Sequence, residues 1–349
     1  MTEVPGRKSG GTVADQLGRG IDDLRISVID RCNFRCTFCM PADRKYHFLP
    51  RSELLTFEEI TRLAEIFVDL GVRKIRLTGG EPLLRSKIET LIEMLARIDG
   101  VEDLALTTNG LLLGQKAQAL KDAGLDRVTV SVESLRQEVF GKLNGLDHPI
   151  ARVLESVDRA AAAGLGPIKI NTVVMQGVND DEIVTLARYF KDRQMIVRFI
   201  EYMDVGTLNG WDLSQVLSAR EILDRIGREM PLEPIDRARA SDVALRYRYL
   251  DDGTTVGAIA SVTEPFCGDC SRARLSSEGQ LFTCLFSNRG FDLREGLRSG
   301  ASDEEIRERI VSRWQARDDR YSEERLVRLE HGGASALTEP KVEMYRIGG

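Results

Sequence analysis

The sequence predicts an α/β protein: an incomplete barrel of six βα units, followed by a smaller C-terminal module. Two observations carry this. Short strand-like segments rich in Val, Ile, Leu and Thr recur along the first 203 residues, each followed by a helical pattern. After Met203 that alternation stops and a hairpin-like segment with a second group of cysteines takes over. Strands alternating with helices imply parallel pairing through right-handed crossovers.

Residues 1–20 are Gly-rich and polar and read as a flexible tail. The strands are expected at 24–30 (LRISVID), 74–79, 103–108, 127–133, 168–175 and 196–203. Between them, 56–70 opens on a capping box, Thr56 with Glu59, and stops at Gly71. Helices at 87–97, 115–123, 151–163 and 182–193 follow the same logic, with Gly124 and Gly164 just past two of them. Residues 21–210 thus form a TIM-like barrel core and residues 211–349 the C-terminal module. In that module 247–250 and 256–260 flank an Asp252-Gly253 turn, and a helix spans 303–317.

In barrels of this kind the chemistry sits at the C-terminal ends of the strands. The polar and Gly-rich segments fall there: the Cys32 loop, Thr78-Gly79-Gly80-Glu81, Thr107-Thr108-Asn109-Gly110, Ser131 to Ser134, and Glu201 to Met203.

Composition narrows the function classes. A net charge of −6 argues against a nucleic-acid binder, while leaving room for a local basic pocket suited to a small anion. No run reaches the length of a membrane span, and the N-terminus lacks a signal-like apolar core, so a cytoplasmic enzyme is expected. All six cysteines fall into two tight groups, which in a cytosolic protein are metal ligands before they are disulfides.

Cys32-x3-Cys36-x2-Cys39 supplies three thiolates. A [4Fe–4S] cluster on three thiolates keeps one iron open, a reactive arrangement. Structural zinc wants four closed ligands, and only His47 lies near as a fourth. Cys267-x2-Cys270-x13-Cys284 repeats the three-thiolate pattern, with zinc and a distant fourth ligand as the alternative. Arg25, Arg76 and Lys169 sit inside otherwise apolar strands, and Arg198 joins them in the sixth. A charge there is unfavourable without a partner, so several cations together point to an anion.

The segments Leu24 to Val28, Asp30 to Cys36, Ile75 to Pro82, Thr107 to Gly110, Phe199 to Gly206, Phe266 to Cys270, Arg272 to Leu275, Cys284 and the terminal Gly348-Gly349 together resemble the GTP 3′,8-cyclase family. These radical S-adenosylmethionine enzymes act first in molybdenum cofactor biosynthesis. The resemblance, from about residue 17 to the C-terminus, implies the following. Cys32, Cys36 and Cys39 hold one [4Fe–4S] cluster whose free iron chelates S-adenosylmethionine; Cys267, Cys270 and Cys284 hold a second that meets the guanine. Phe38, Gly80, Ser131 and Met203 contact S-adenosylmethionine. Arg25, Arg76, Thr107, Lys169, Arg198, Arg272, Ala273 and Arg274 bind GTP, through guanidinium forks suited to phosphate oxygens. Arg272, Arg274, Gly348 and Gly349 serve the reaction, with the tail inserted beside both ligands. An electron donor, hand-off to the next pathway enzyme and a homodimer are implied too. Phe38 stands where the family commonly has Tyr, and Val132-Glu133 where it has Leu-Asp. The rival reading, a radical enzyme acting on a peptide, does not account for this many cations.

Overall fold

The computed structural model describes residues 13–237, 239, 241–332 and 341–348. Six βα units come first: β1 (Asp23–Ser27), α1 (Phe57–Asp69), β2 (Lys74–Thr78), α2 (Ile88–Ala96), β3 (Asp103–Thr108), α3 (Leu113–Asp122), β4 (Arg127–Ser131), α4 (Gln137–Asn144), α5 (Ile150–Ala162), β5 (Lys169–Val174), α6 (Ile183–Lys191) and β6 (Ile196–Glu201). Then follow α7 (Ala219–Glu229), β7 (Leu232–Ile235), β8 (Leu245–Tyr249), β9 (Thr255–Ile259), β10 (Arg272–Leu275), β11 (Gln280–Phe282), β12 (Phe291–Asp292), α8 (Arg294–Arg298), α9 (Asp303–Gln315), α10 (Tyr321–Gly332) and α11 (Met344–Ile347).

All twelve strands form one sheet in the order β12-β11-β10-β1-β2-β3-β4-β5-β6-β9-β8-β7. The eight central strands, β10 through β9, run parallel. The sheet ends at β7 and β12, so the barrel stays open. The C-terminal residues are therefore not a separate layer. The expected hairpin is present as antiparallel β8–β9, yet β9 extends the barrel beyond β6 and β10 extends it beyond β1.

Local chemistry explains the elements. The expected capping box starts α1: the Thr56 hydroxyl accepts from the Glu59 amide at 3.1 Å, and the Glu59 carboxylate accepts from the Thr56 amide at 2.7 Å. Ser218 caps α7 by accepting from Glu221 N at 3.2 Å, a helix the sequence reading left out together with α4. The buried Glu201 carboxylate, at the end of β6, accepts from Ala219 N and Val262 N, both at 2.7 Å, and so ties the barrel rim to α7 and to the loop after β9.

The strands alternate with period two. Leu24 and Ile26, Ile75 and Leu77, Val197 and Phe199, and Ala273 and Leu275 are buried in the apolar core. Between each pair sits an arginine: Arg25, Arg76, Arg198 and Arg274. Register places Arg25 beside both Arg76 and Arg274. The apolar core therefore lies on the helix-facing side of the sheet, and its concave side carries charge.

Residues 13–20 correct the expectation of a flexible tail. Val13, Asp15 and Arg19 are buried, and Ala14 pairs with Gly20 in a β-bridge. The segment has a protein surface to rest on, at the end of α9. Residues 1–12 of that expected tail lie outside the described residues.

Candidate functional site

The first cysteine loop leaves the C-terminal end of β1 and is clasped from two sides. Gly80 N donates to Ile29 O at 2.7 Å, and a Cβ on Gly80 would collide with the Arg31 carbonyl. Glycine is required there for the close approach of two backbones. From the other side, Arg35 N and Thr37 N donate to the carbonyls of Asn144 and Leu143, at 2.7 and 3.0 Å, at the end of α4. Phe34 is buried against Phe140 and stacks on His148.

Within the loop, Phe34 N donates to Cys32 Sγ at 3.3 Å, and Asn109 Nδ2 reaches the same sulfur at 3.8 Å. Glu81 holds Asn109 in place, accepting from its amide at 2.8 Å and from Thr108 Oγ1 at 2.7 Å. Burial pushes the Glu81 carboxyl up to about 7, opposed by these hydrogen bonds. Burial, and then the Glu81 charge, push the Cys32 thiol up to about 11. Cys36 is raised by burial, by Glu133 and by its two cysteine neighbours, and Cys39 by burial and by Cys32. Three half-buried cysteines whose thiolate charges repel one another are stabilised together by a metal, so this donor set fits a cluster. No group of three or more His, Cys, Asp and Glu side chains among the described residues converges on a single metal ion, and His47 is exposed. A cluster whose ligands each bind a different iron needs no such convergence.

The second group is assembled from two places. Cys267 and Cys270 flank a single 3-10 turn, where Cys270 N donates to Cys267 O at 3.2 Å; Cys284 follows β11. Arg272 Nη2 lies 3.2 Å from Cys270 Sγ. Burial works against the Cys270 thiolate, but Arg272 and Arg317 overcome it and hold the thiol down at about 6. Cys284 goes the other way: burial and Asp319 push it up to about 12.

These three cysteines line one interior cavity together with Arg25, Arg76, Thr107, Arg198, Met203, Arg272 and Arg274. Seven of the expected contact residues thus meet in one place. Among the described residues, Arg25, Arg76 and Arg198 have no carboxylate within ion-pair distance, and the buried Nε of each lacks a hydrogen-bond partner, as does Nε of Arg272. Asn171 Oδ1, in the same wall, is also unpartnered. Thr129 gives only long contacts, 3.3 Å to Arg76 Nη1 and 3.5 Å to Arg198 Nη2. Lys169 pairs in register with Thr129; burial and the charge of Arg198 pull its amine down to about 7. Burial and Arg274 pull Arg25 far below its usual range. A guanidinium keeps its proton regardless, so the crowding is expressed as repulsion that an anion would relieve. Closed barrels of this class fill their interior with branched apolar side chains. Here the interior is cationic and incompletely satisfied.

Other expected residues are placed differently. Alternation along β10 turns the Ala273 side chain into the apolar core, away from Arg272 and Arg274, so only its backbone is available to a ligand. Ser131 ends β4 beside Asn171, and Phe38 packs on Leu143, Met175 and Tyr202. Gly348 lies deep in the barrel: its φ is +67°, a Cβ there would collide with Thr78, and its carbonyl accepts a hydrogen bond from Arg274 Nη1. Gly349 lies outside the described residues. The tail also passes the first cysteine group, where the Tyr345 ring meets Tyr46 edge-on. Sequence reasoning missed Glu81, Asn109, Asn171, Arg19 and Arg317. The first two lie in segments it had marked; the last two carry no local signal, because their contacts are long-range.

Comparison with known proteins agrees with this geometry. The Radical SAM superfamily profile matches residues 26–190, and Molybdenum Cofactor Synthesis C matches residues 195–323. A GTP 3′,8-cyclase from Staphylococcus haemolyticus is 46% identical over 97% of this chain and 99% of its own. One from Acidothermus cellulolyticus is 50% identical with the same coverage. Among solved structures, Streptococcus suis SuiB bound to S-adenosylmethionine covers 85% of this chain and 64% of its own, with a TM-score of 0.59 and 13% identity, a likeness of fold alone. At such identity over nearly the whole of both sequences, the chain belongs to the GTP 3′,8-cyclase family of the radical S-adenosylmethionine superfamily.

Proposed function

We propose that this chain converts GTP to a 3′,8-cyclised dihydro-GTP, with the triphosphate and base lodged in the cationic cavity. Family membership brings a [4Fe–4S] cluster and S-adenosylmethionine, and Cys32, Cys36 and Cys39 are the residues that would hold that cluster. When bound, these groups supply an electron and a 5′-deoxyadenosyl radical able to take hydrogen from ribose C3′. Cys267, Cys270 and Cys284 would hold a second [4Fe–4S] cluster facing the guanine. Gly80, Ser131, Met203 and the Phe38 backbone are the residues for S-adenosylmethionine.

The observation that carries the reading is the cavity itself, where unpaired guanidiniums and the second cysteine group share one buried wall. Arg25, Arg76, Lys169 and Arg198 supply charge for the triphosphate. Arg272 bridges toward Cys270, and Arg274 orients the tail through Gly348. The chain's contribution is to fix C3′ against the radical source and C8 against C3′, and to keep water from the radicals. The reaction needs a one-electron donor and leaves a reactive product suited to direct hand-off. Free cysteines used as metal ligands fit a reducing cytosol. The homodimer remains part of this proposal.

The test is anaerobic reconstitution with iron and sulfide, then reductant, S-adenosylmethionine and a nucleotide panel. Deoxyadenosine and a cyclised product from GTP are expected together. Deoxyadenosine without any GTP-derived product would overturn the substrate assignment.

A further inference from the structure

The turn that carries Cys267 and Cys270 has little internal structure of its own, so something else must fix its distance from Cys284. Two buried guanidiniums grip it. Arg19 Nη1 donates to Cys267 O, and Arg317 Nη1 donates to Cys270 O, each at 2.7 Å. Both arginines are held by one carboxylate. Asp15 Oδ2 lies 2.6 Å from Arg19 Nε and 3.2 Å from Arg317 Nη1, and the three side chains are essentially excluded from solvent. The other Asp15 oxygen accepts from Leu17 N and Arg19 N, at 3.0 and 2.8 Å, closing the 15–19 turn. Two further bonds lock this turn to the end of α9: the Trp314 indole Nε1 donates to Arg19 O at 2.9 Å and Gln16 N to Arg317 O at 3.2 Å. The same two arginines and Asp319 line the substrate cavity.

Packing alone does not call for such an arrangement, since buried charges are often replaceable by apolar groups at no loss. Planar forks with several donors suit carbonyl acceptors at two separate places. Groups that orient metal ligands from behind are as much part of a metal site as the ligands.

We propose that segment 15–19 is a working part of the second metal centre: Asp15 is a positioning residue that holds Arg19 and Arg317 on the carbonyls of Cys267 and Cys270, and so fixes the spacing of their thiolates to Cys284. This rests on the reading of those cysteines as cluster ligands, and the controls keep the two apart.

The experiment uses the full chain with Cys32, Cys36 and Cys39 replaced by Ala, so that only the second site takes up iron after reconstitution. Iron content, the visible absorption of the cluster, and iron release to a chelator are followed. Asp15→Asn, isosteric but neutral, should release iron roughly 10-fold faster. Asp15→Glu should recover part of the loss. In the chain with its first cysteines intact, Asp15→Asn should leave deoxyadenosine formation in place. If Asp15→Asn is recovered unfolded, Arg317→Lys carries the test, because it keeps the charge and loses the fork. Release rates unchanged in both variants would overturn the proposal. If Cys267→Ala in the same background loses no iron, the ligand assignment fails instead.

Discussion

Lys169 shows how one side chain reports on the site around it. Its amine is half-buried among Arg198, Arg127, Arg76 and Lys74, and burial with this repulsion brings it down to about 7. A triphosphate carries the opposite charge and raises it again, so binding takes up a proton wherever the free amine is neutral. The sign follows: GTP affinity falls as pH rises through about 7, and between about pH 6 and pH 8 the binding heat depends on buffer ionisation. Lys169→Met should weaken binding at the acid end and flatten that pH slope. Calorimetry in two buffers measures both, and an unchanged slope would remove Lys169 from the anion site. The cysteines separate just as cleanly. Cys36→Ala should abolish deoxyadenosine formation while iron at the second group persists, because the two sites share no ligand. Deoxyadenosine from that variant would refute the assignment of the first group.

The C-terminal segment, ending in α11, is the element with the most specific placement. Lys341 Nζ binds Asp204 at 2.6 Å, and the Glu343 carboxylate accepts from the amide and hydroxyl of Thr207, both at 2.9 Å. From these anchors the chain passes Cys39 and reaches Arg274 and Thr78 at Gly348. Arg274 therefore meets the tail as well as lining the cavity. If the tail positions the substrate radical, removing Gly348 and Gly349 should leave cluster content, GTP binding and deoxyadenosine nearly intact. Cyclised product should fall on the order of 100-fold, the scale of a small misplacement of reacting atoms. Gly348→Ala should do much the same, since a side chain at φ +67° meets Thr78. Unchanged product yield in both variants would show the tail to be a mere end. The elements that hold the sites were unevenly legible. α1 announced itself through Thr56 and Glu59, whereas α4, which carries the cysteine loop on its end, offers no capping side chain. The Ser218–Glu221 cap of α7 was present in the sequence and went unread.

At the scale of the whole molecule, what could be read in advance was what the chain decides locally. An arginine between apolar neighbours in one strand is a local pattern, so Arg25, Arg76 and Arg198 were visible as inward charges. The same period of two places the Ala273 side chain on the far face, so the contact that motif resemblance implied falls to its backbone. What escaped was decided between distant segments: β9 and β10 joining the barrel edges, residues 13–20 packing under the second cysteine group, and Arg274 meeting the tail. The resulting interior concentrates like charge in a closed space, and that has a consequence for stability. Arg198 is half-buried, its Nε is buried without a partner, and burial and the charge of Arg76 pull it down to about 9. A charge of this kind, if kept for a ligand, is kept at the expense of the empty fold. Arg198→Met keeps most of the stem and removes the repelled charge, so the empty protein should melt at the same temperature or higher, gaining about 1 kcal/mol. GTP at about 100 times its dissociation constant should stabilise the parent protein by about 2.7 kcal/mol. That protection should shrink markedly in Arg198→Met, and in the parent it should diminish from GTP to GMP to guanosine as charge is lost. Thermal melts of the two proteins with the three ligands decide the matter. A variant that melts lower when empty, yet is protected by GTP as fully as the parent, would show that Arg198 holds the fold together and not the nucleotide.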